Sequence, residues 1–172
     1  MDIMSNQEAL RRLLRSDASV LKELRLYALQ ESAAFFGSSF DEEKNRSLQQ
    51  FEDQIANDLV YGAFIDGELT GMACAYVSPF KKMSHKLHVY GVFVHPAYRG
   101  KGIMKQLLER LLVDAFQSHE VALASVVNGN GTALALFLAC GFVSYGVETN
   151  GLKIDNHSYD LILLRCDGHG KR

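Results

Sequence analysis

The centre of the sequence changes from a helical to a strand-like period, and this change limits the fold class. Two runs rich in β-branched and aromatic residues, LVYGAFI and ELTGMACAYVS, lie on either side of Asp66–Gly67. Asp-Gly between two such runs is a strong signal for a two-residue hairpin turn. A third run, KLHVYGVFVHP, follows and is ended by Pro96. The middle of the chain is therefore predicted to form antiparallel strands.

The residues before these strands are predicted to be helical. Apolar side chains recur at helical spacing between Leu21 and Leu29, and a second helical stretch covers roughly residues 41–57. Three phenylalanines lie between the two stretches, and we interpret them as core or helix-packing residues: Phe35, Phe36 and Phe40. The first third of the chain, residues 1–57, is therefore expected to be a helical region.

The rest of the chain alternates between helix and strand. An apolar face from Ile103 to Phe116 predicts a long amphipathic helix, and TALALFLAC predicts a short helix that ends at Gly141. The last two strands, FVSYGVE and SYDLILLR, are predicted to be joined by a loop that contains Asn150–Gly151. This order predicts an α/β (α+β) fold with a mixed sheet over residues 58–166 and a frayed tail at residues 167–172.

Length and composition limit the class of protein. A chain of 172 residues has the size of one domain, so residues 1–172 are predicted to form a single domain. The net charge of -2 argues against a dedicated nucleic-acid binder, and the apolar runs are too short to span a membrane. The N-terminus lacks the apolar core of an export signal, so a cytoplasmic protein is expected.

The cysteines support the same compartment. Cys74, Cys140 and Cys166 are far apart and odd in number. This pattern is typical of reduced thiols in a core, and it predicts neither a disulfide framework nor a metal site.

The segment VFVHPAYRGKGIMKQLLERLL carries the most chemical information. A predicted strand ends, the chain turns through residues 99–102, and the long helix begins. Successive backbone N–H groups in such a turn, together with a helix N-terminus, can bind an anion. Gly100 and Gly102 allow phosphate oxygens to approach the backbone closely, and the neighbouring cations are Arg99, Lys101 and Lys105. The turn is a candidate pyrophosphate cradle, although the glycines alone would equally suit an ordinary turn before a helix.

Two other nucleotide-binding motifs are excluded by pattern. A P-loop requires G-x-x-x-x-G-K-[ST], which the sequence lacks. A dinucleotide fingerprint requires a third glycine at the position of Lys105. The turn at Gly129–Gly131 fails the same test, because no third glycine follows at the required spacing.

The segment HPAYRGKGI resembles the acetyl-CoA pyrophosphate motif R/Q-x-x-G-x-G/A of the GCN5-related N-acetyltransferases, the GNAT family. Arg99 and Gly102 match the motif, and Met104 stands at the usual Gly/Ala position. A second block, VVNGNGTALALFLACGF, resembles the downstream motif of the family at these positions: Asn130, Ala133, Leu136, Gly141 and Phe142. Segments near both ends also resemble the family, so the similarity covers most of the chain.

The resemblance implies a fold and a co-substrate. The family fold is a mixed, mostly antiparallel sheet with helices on both faces, and acetyl-CoA lies where the central strands splay apart. The pantetheine arm would pair with the backbone of Val92, Phe93 and Val94. The remaining cofactor-binding residues implied by the resemblance are Arg99, Gly100, Lys101, Gly102, Ile103, Met104, Lys105, Asn130 and Phe137.

The catalytic residues implied by the family are partly replaced. The tyrosine that usually protonates the departing thiolate corresponds to Phe137, and the two usual glutamate positions hold Ser125 and His88. His88 is the candidate base, since its unperturbed pKa of about 6.5 suits proton transfer near neutral pH; a purely structural histidine is the alternative. Tyr90 would lie on the same strand face and could replace the missing acid, unless a bulge at Gly91 changes the register.

The sequence thus predicts an acetyl-CoA-dependent N-acetyltransferase that acts on a primary amine of a small molecule or peptide by direct attack on the thioester. The helical region at residues 1–57 would form a wall of the acceptor site. A non-catalytic acyl-CoA-binding sensor is the alternative, motivated by Phe137 and Ser125. The sequence leaves open whether two copies form a homodimer.

Overall fold

The structure, a computed structural model, describes residues 8–168. The strands are β1 (Glu8–Arg12), β2 (Leu59–Ile65), β3 (Glu68–Val77), β4 (Lys86–Val94), β5 (Val121–Val127), β6 (Val143–Ile154) and β7 (His157–Asp167). The α-helices are α1 (Ala18–Glu31), α2 (Phe40–Glu43), α3 (Leu48–Asn57), α4 (Ile103–Ala115) and α5 (Gly131–Ala139). None of the helices in this part of the chain is long and apolar enough to cross a membrane.

The seven strands form one mixed sheet in the order β1-β2-β3-β4-β5-β7-β6. Every neighbouring pair is antiparallel except β4 and β5, which are parallel. The predicted α/β class with a mostly antiparallel sheet is therefore confirmed. The predicted hairpin between β2 and β3 is also confirmed, because Asp66 and Gly67 both have positive φ angles, of 51° and 85°.

Helices cover both faces of the sheet. On one face, α4 buries Leu107, Leu108 and Leu111 against small side chains of β2 and β3. On the other face, α1 and α3 bury a second core in which Phe51 of α3 is completely inaccessible to solvent. Burial of these two faces supplies most of the driving force for a sheet of this kind.

The first third of the chain is less helical than the sequence predicts. Residues 8–12 form the edge strand β1, which pairs antiparallel with β2. The helix predicted over residues 41–57 is two helices, because Ser47 begins a new one: its hydroxyl accepts from the Gln50 N–H at 3.3 Å, while the Gln50 side chain accepts from the Ser47 N–H at 2.8 Å. This reciprocal cap starts α3 after a turn. The helical prediction for residues 1–7 lies outside the described residues.

The C-terminal hairpin also differs from the prediction. Strand β6 continues through Asn150–Gly151 to Ile154, and the turn lies at residues 155–156. Asn150 has a φ of 56°, and the register of β6 against β7 shifts between Glu148 and Leu152. Asn-Gly therefore marks a bulge here and no loop. Of the predicted tail, Asp167 belongs to β7, and residues 169–172 lie outside the described residues.

The central strands separate after three residue pairs. Lys86, Leu87 and His88 of β4 pair with residues 121–123 of β5, and the two strands pair no further. Beyond His88, each strand keeps only its outer neighbour, β3 or β7. The sheet thus opens between β4 and β5, as the family resemblance implies, and exposes an unpaired edge of each strand.

A β-bulge at Gly91 changes the side-chain phase of β4. Gly91 has a φ of 60°, and the β3–β4 register shifts across this position. Val89 and Val92 both pack toward α4, whereas Tyr90 and Phe93 pack toward α1 and α3. Because the bulge follows Tyr90, it leaves His88 and Tyr90 on the same face, in agreement with the simple alternation.

A buried carboxylate on α2 binds α1 and the segments that flank α2. Glu43 accepts hydrogen bonds from Arg25 at 2.7 Å, from Ser38 at 2.6 Å and from Arg46 at 3.1 Å. Burial alone would raise the pKa of Glu43, but the hydrogen bonds from Arg25 and Ser38 outweigh it and lower the pKa from 4.5 to about 2. The ionised form of Glu43 therefore stabilises the fold.

Replacement Glu43→Gln should make the protein less stable at neutral pH, and the deficit should shrink in acid. The folded pKa lies below the unfolded one, so the contribution of the charge is complete above about pH 4.5 and is lost as the pH falls toward 2. The pH-dependent part is roughly 3 kcal/mol. Denaturant unfolding of the wild type and of Glu43→Gln between pH 7 and pH 3 measures their free energies of unfolding. A difference between the two that does not change with pH would contradict the prediction.

Candidate active site

The loop before α4 presents a row of unpaired donors. Gly100 and Gly102 adopt left-handed backbone angles, with φ of 78° and 75°. Gly102 is the N-cap of α4 and has no side chain to satisfy the first turn. Within the described chain, the backbone N–H groups of residues 100–105 donate to no other residue. This is the arrangement expected of an anion-binding site at a helix N-terminus.

Packing within the protein does not account for the two glycines. A Cβ at Gly100 would meet no atom within 4 Å, and one at Gly102 would reach only the Gln106 side chain, at 4.0 Å. The positive φ angles favour glycine, and the space around the loop is open to a ligand. Both observations fit a backbone that a phosphate group approaches closely.

The side chain of Arg99 is bound to α1 and to the end of β4. Its guanidinium binds Glu31 at the end of α1 through two hydrogen bonds, of 3.1 and 2.9 Å. Its Nε donates to the Val94 carbonyl oxygen at 3.1 Å. The hydrogen bonds from Arg99 lower the pKa of Glu31. The sequence predicts Arg99 as a cofactor-binding residue, whereas its contacts here fasten the loop to α1.

The open edge of β4 leads directly to this loop. Val92, Phe93 and Val94 occupy the part of the strand that has lost its β5 neighbour. Val92 and Val94 pack on the α4 side, and Phe93 is buried on the other side beside Tyr27 and Phe36, with ring centroids 6.2 and 6.4 Å apart. The side chains are thus fixed while one backbone edge stays free, and an extended ligand with amide groups can pair with such an edge.

The downstream motif forms the start and end of α5. Asn130 caps the helix, since its Oδ1 accepts from the Ala133 N–H at 3.2 Å, and its side-chain NH₂ has no partner among residues 8–168. The helix ends at Gly141 with φ of 89°, and the Phe142 N–H donates to the Phe137 carbonyl oxygen at 3.1 Å. These bonds form a Schellman motif, so the predicted cap at Gly141 is confirmed.

Phe137 is a core residue. Its side chain is 4% exposed and packs edge-on against Phe142, with ring centroids 5.0 Å apart. The ring belongs to the same core cluster as Ile103, the first residue of α4. Phe137 is therefore a packing residue, and it carries no group that could donate a proton.

His88 lies at the point where the sheet opens. Its ring stacks on Tyr76 of β3, with centroids 4.9 Å apart and planes 11° apart. Burial, and then the charge of Lys86, lower the pKa of His88. The imidazole is thus neutral at pH 7, which is the form that accepts a proton. Ser125, at the other position where the family often has glutamate, is exposed on β5.

Tyr90 is bound on both sides of its hydroxyl. The hydroxyl donates to Asp58 Oδ2 at 2.5 Å and accepts from the Gln54 amide at 2.8 Å. Burial raises the pKa of Tyr90, and the hydrogen bond to Asp58 raises it further. A phenol whose proton is held by a carboxylate is a poor acid, so this geometry argues against Tyr90 as the proton donor.

Tyr90 also lines a cavity that the sequence does not reveal. The cavity has a volume of about 480 Å³ and is bounded by Arg46, Gln50, Asp53, Gln54, Asn57, Asp58 and Tyr90. Most of these residues come from α3 and the turn after it, far from β4 in the chain. The polar face of α3 was the signal available, but such a face is usually solvated, and only the packing of α3 on the sheet brings it to Tyr90.

The family model of the acetyltransferase (GNAT) family matches residues 24–142, which is more than half of the chain. The chain belongs to the GNAT acetyltransferase family. It is therefore an acetyl-CoA-dependent N-acetyltransferase, with acetyl-CoA as the acyl donor. The unpaired N–H groups of residues 100–105 and the open edge of β4 fit the two polar parts of that donor, its pyrophosphate and its amide-containing arm.

Relatives of known activity support this assignment. The chain is 27% identical over 135 residues to the L-amino acid N-acyltransferase MnaT of Escherichia coli, covering 75% of this chain and 76% of that protein. It is 26% identical over 134 residues to the L-methionine sulfoximine/L-methionine sulfone acetyltransferase of Salmonella typhimurium, covering 74% and 75%. Both are named as acyl-group transferases, so the non-catalytic sensor is not favoured.

Solved structures share the fold. A GNAT-family acetyltransferase of Streptococcus pneumoniae superposes with a TM-score of 0.85 at 20% identity, covering 92% of this chain and 98% of that one. The acetyltransferase YncA of Salmonella typhimurium, solved with its cofactor acetyl-CoA, superposes with a TM-score of 0.81 at 21% identity, covering 96% of both chains. The expected GNAT fold is thus confirmed.

Proposed function

We propose that the protein transfers the acetyl group of acetyl-CoA to the primary amine of a small molecule, by direct attack of the amine on the thioester. The row of unpaired N–H groups at residues 100–105, next to the open β4 edge, carries this proposal. The donor supplies an activated acyl group with a thiolate leaving group. The protein supplies a fixed position for both reactants, which can contribute much of the rate.

Each part of the donor has a proposed partner. The backbone of Val92, Phe93 and Val94 pairs with the pantetheine arm, and the amides from Gly100 to Lys105 bind the pyrophosphate. Asn130 contributes the free NH₂ of its side chain. Arg99 and Phe137 act by holding the loop in place, since Arg99 is paired with Glu31 and Phe137 is buried in the same core as Ile103 of α4.

The acceptor is a small amine, and an amino-acid-like compound is favoured over a peptide. The support comes from the names of the two relatives, which act on L-amino acids and on L-methionine sulfoximine or sulfone. The helices α1–α3 lie on the same side of the sheet as His88 and Tyr90 and form a wall of the acceptor site. The test is to mix the protein with acetyl-CoA and a panel of amines and amino acids, and to follow release of free thiol.

We further propose that the enzyme is cytoplasmic and forms a homodimer. All three cysteines are free thiols, as in a reducing compartment. For the dimer, β6 is an edge strand with three apolar side chains that are each more than half exposed, Val143, Tyr145 and Val147. The register shift between Ser144 and Gly146 places Val143 and Val147 on opposite faces, so both faces of this edge are apolar. An exposed edge strand readily pairs with another copy.

Substitution Val147→Lys should lower the solution mass of the protein to that of one chain, because a charged side chain on an edge strand opposes pairing with another copy. Light scattering coupled to gel filtration measures the mass. Val113→Lys on α4 is the matched control, since Val113 is 59% exposed, against 60% for Val147, but lies outside β6. A wild-type protein that is already monomeric would contradict the proposed dimer.

Substitution Gly102→Asp should abolish measurable binding of acetyl-CoA while the protein stays folded. It places a carboxylate and a Cβ where phosphate oxygens would meet backbone N–H groups. Calorimetric titration with acetyl-CoA measures the loss. Gly67→Asp is the matched control, because Gly67 also has a positive φ, of 85°, and an open surrounding but lies in the β2–β3 turn. Unchanged affinity in folded Gly102→Asp protein would contradict the placement of the pyrophosphate.

We propose His88 as the base, and His88→Ala should lower kcat/KM by roughly ten- to a thousand-fold with little change in acetyl-CoA affinity. The acidic limb of the pH–rate profile should be absent in the His88→Ala variant, because the titrating imidazole is gone. Because the pKa of His88 is lowered, this limb lies below the usual histidine value of 6.5. His85→Ala, at an exposed histidine, is the control. If His88→Ala keeps the rate and the limb, the residue is structural.

A further inference from the structure

The acceptor side of the site contains a carboxylate that the proposed reaction does not use. Asp58 lies between α3 and β2 and lines the cavity described above. Its Oδ2 accepts the Tyr90 hydroxyl, and its Oδ1 accepts no hydrogen bond from the residues that the structure describes. One carboxylate oxygen is thus held rigidly while the other is left without a partner.

Within residues 8–168, no cation forms an ion pair with this carboxylate, although the charge of Arg46 acts on it and lowers its pKa. Arg46 lines the same cavity, but its guanidinium binds Glu43 at 3.1 Å and Gln54 at 2.9 Å and packs on the Phe51 ring at 4.2 Å. Arg12 reaches the backbone carbonyl oxygen of Asp58, at 3.3 Å, and no carboxylate atom. Burial outweighs the hydrogen bond from Tyr90 and the charge of Arg46, and it raises the pKa of Asp58. A cationic ligand would offset this cost of burial and would be bound favourably here.

The carboxylate lies one tyrosine side chain away from the open part of β4, because it accepts the hydroxyl of Tyr90. Tyr90 immediately precedes the Gly91 bulge and belongs to the part of β4 with an open edge. The Tyr90 ring lies 5.9 Å from the Tyr76 ring, which stacks on the candidate base His88 at 4.9 Å. An acceptor held at Asp58 would therefore lie on the same face of the sheet as His88.

The charge of Asp58 restricts what it can bind productively. A carboxylate stabilises a bound ammonium group in its protonated form, and a protonated amine has no lone pair with which to attack a thioester. The group that Asp58 holds is therefore not the nucleophile. An acceptor with two amino groups satisfies both requirements, because one can bind Asp58 while the other reacts.

We propose that Asp58 is a specificity-determining residue that binds the second ammonium group of a diamino acceptor, and that Tyr90 is the positioning residue that holds its carboxylate. This inference rests on the proposed function. It narrows the acceptors to small molecules with two amino groups, such as diamines or amino acids with a basic side chain.

A pair of amines of equal length tests the proposal. In the wild type, putrescine should have a kcat/KM at least about tenfold above that of butylamine, which corresponds to one ion pair of about 1.4 kcal/mol. Asp58→Asn should remove this preference through a higher KM for putrescine, with the constants for butylamine and acetyl-CoA unchanged. Tyr90→Phe should reduce the preference in the same direction. Asp41→Asn, on the exposed side of α2, is the matched control.

Each other outcome has a defined meaning. An unchanged preference in folded Asp58→Asn protein overturns the proposal. An equal loss of kcat for both amines also overturns it, because Asp58 would then act in proton transfer or in folding, and thermal melting separates these two. If no amine releases thiol from the wild type, the proposed function fails, and titration of the wild type and of Asp58→Asn with putrescine tests Asp58 by itself.

Discussion

The pairing between β4 and β5 ends after three residue pairs, and this early end determines where the candidate donor site can lie. Residues 86–88 of β4 pair with residues 121–123 of β5, and beyond them each strand pairs only with its outer neighbour. Strands β3 and β7 hold the separated strands from outside. The free edge of β4 ends at the anion-binding loop, so one continuous chain segment carries the unpaired backbone groups that we propose for the pantetheine arm and for the pyrophosphate.

The Gly91 bulge changes which face of the sheet the side chains of β4 point to. Before the bulge, His88 and Tyr90 face the N-terminal helices, and after it Val92 and Val94 face α4. A Cβ at position 91 would lie 3.4 Å from the Cys74 sulfur. Any other residue here would also have to adopt the positive φ of 60°, which explains why the position holds a glycine. The bulge therefore lets one strand direct polar side chains toward the proposed acceptor side and leave an unpaired backbone edge for the proposed donor site.

Sequence patterns predicted those features that depend on neighbouring residues. The hairpin at Asp66–Gly67, the loop at residues 99–102 and the cap at Gly141 are all set by local backbone angles. The same local character explains the error at Asn150–Gly151, because a bulge and a turn both need a positive φ. Strand β1 was missed because its five residues precede a helical pattern and become a strand only by pairing with β2. Asp58 could not be found from the sequence, since its role depends on a contact with Tyr90 across 32 positions.

The chemistry must work without the tyrosine acid that the family usually places on α5. Phe137 has no hydroxyl, and the Tyr90 proton is already shared with Asp58. The need for a proton donor to the leaving group is modest, because a thiol has a pKa of about 8.5 and the thiolate can leave without full protonation. Removal of a proton from the amine is the harder step, since an alkylammonium has a pKa near that of lysine, about 10.4. A neutral His88 on the same strand face can meet that need, while the fixed strands hold the amine against the thioester and reduce the entropic part of the barrier.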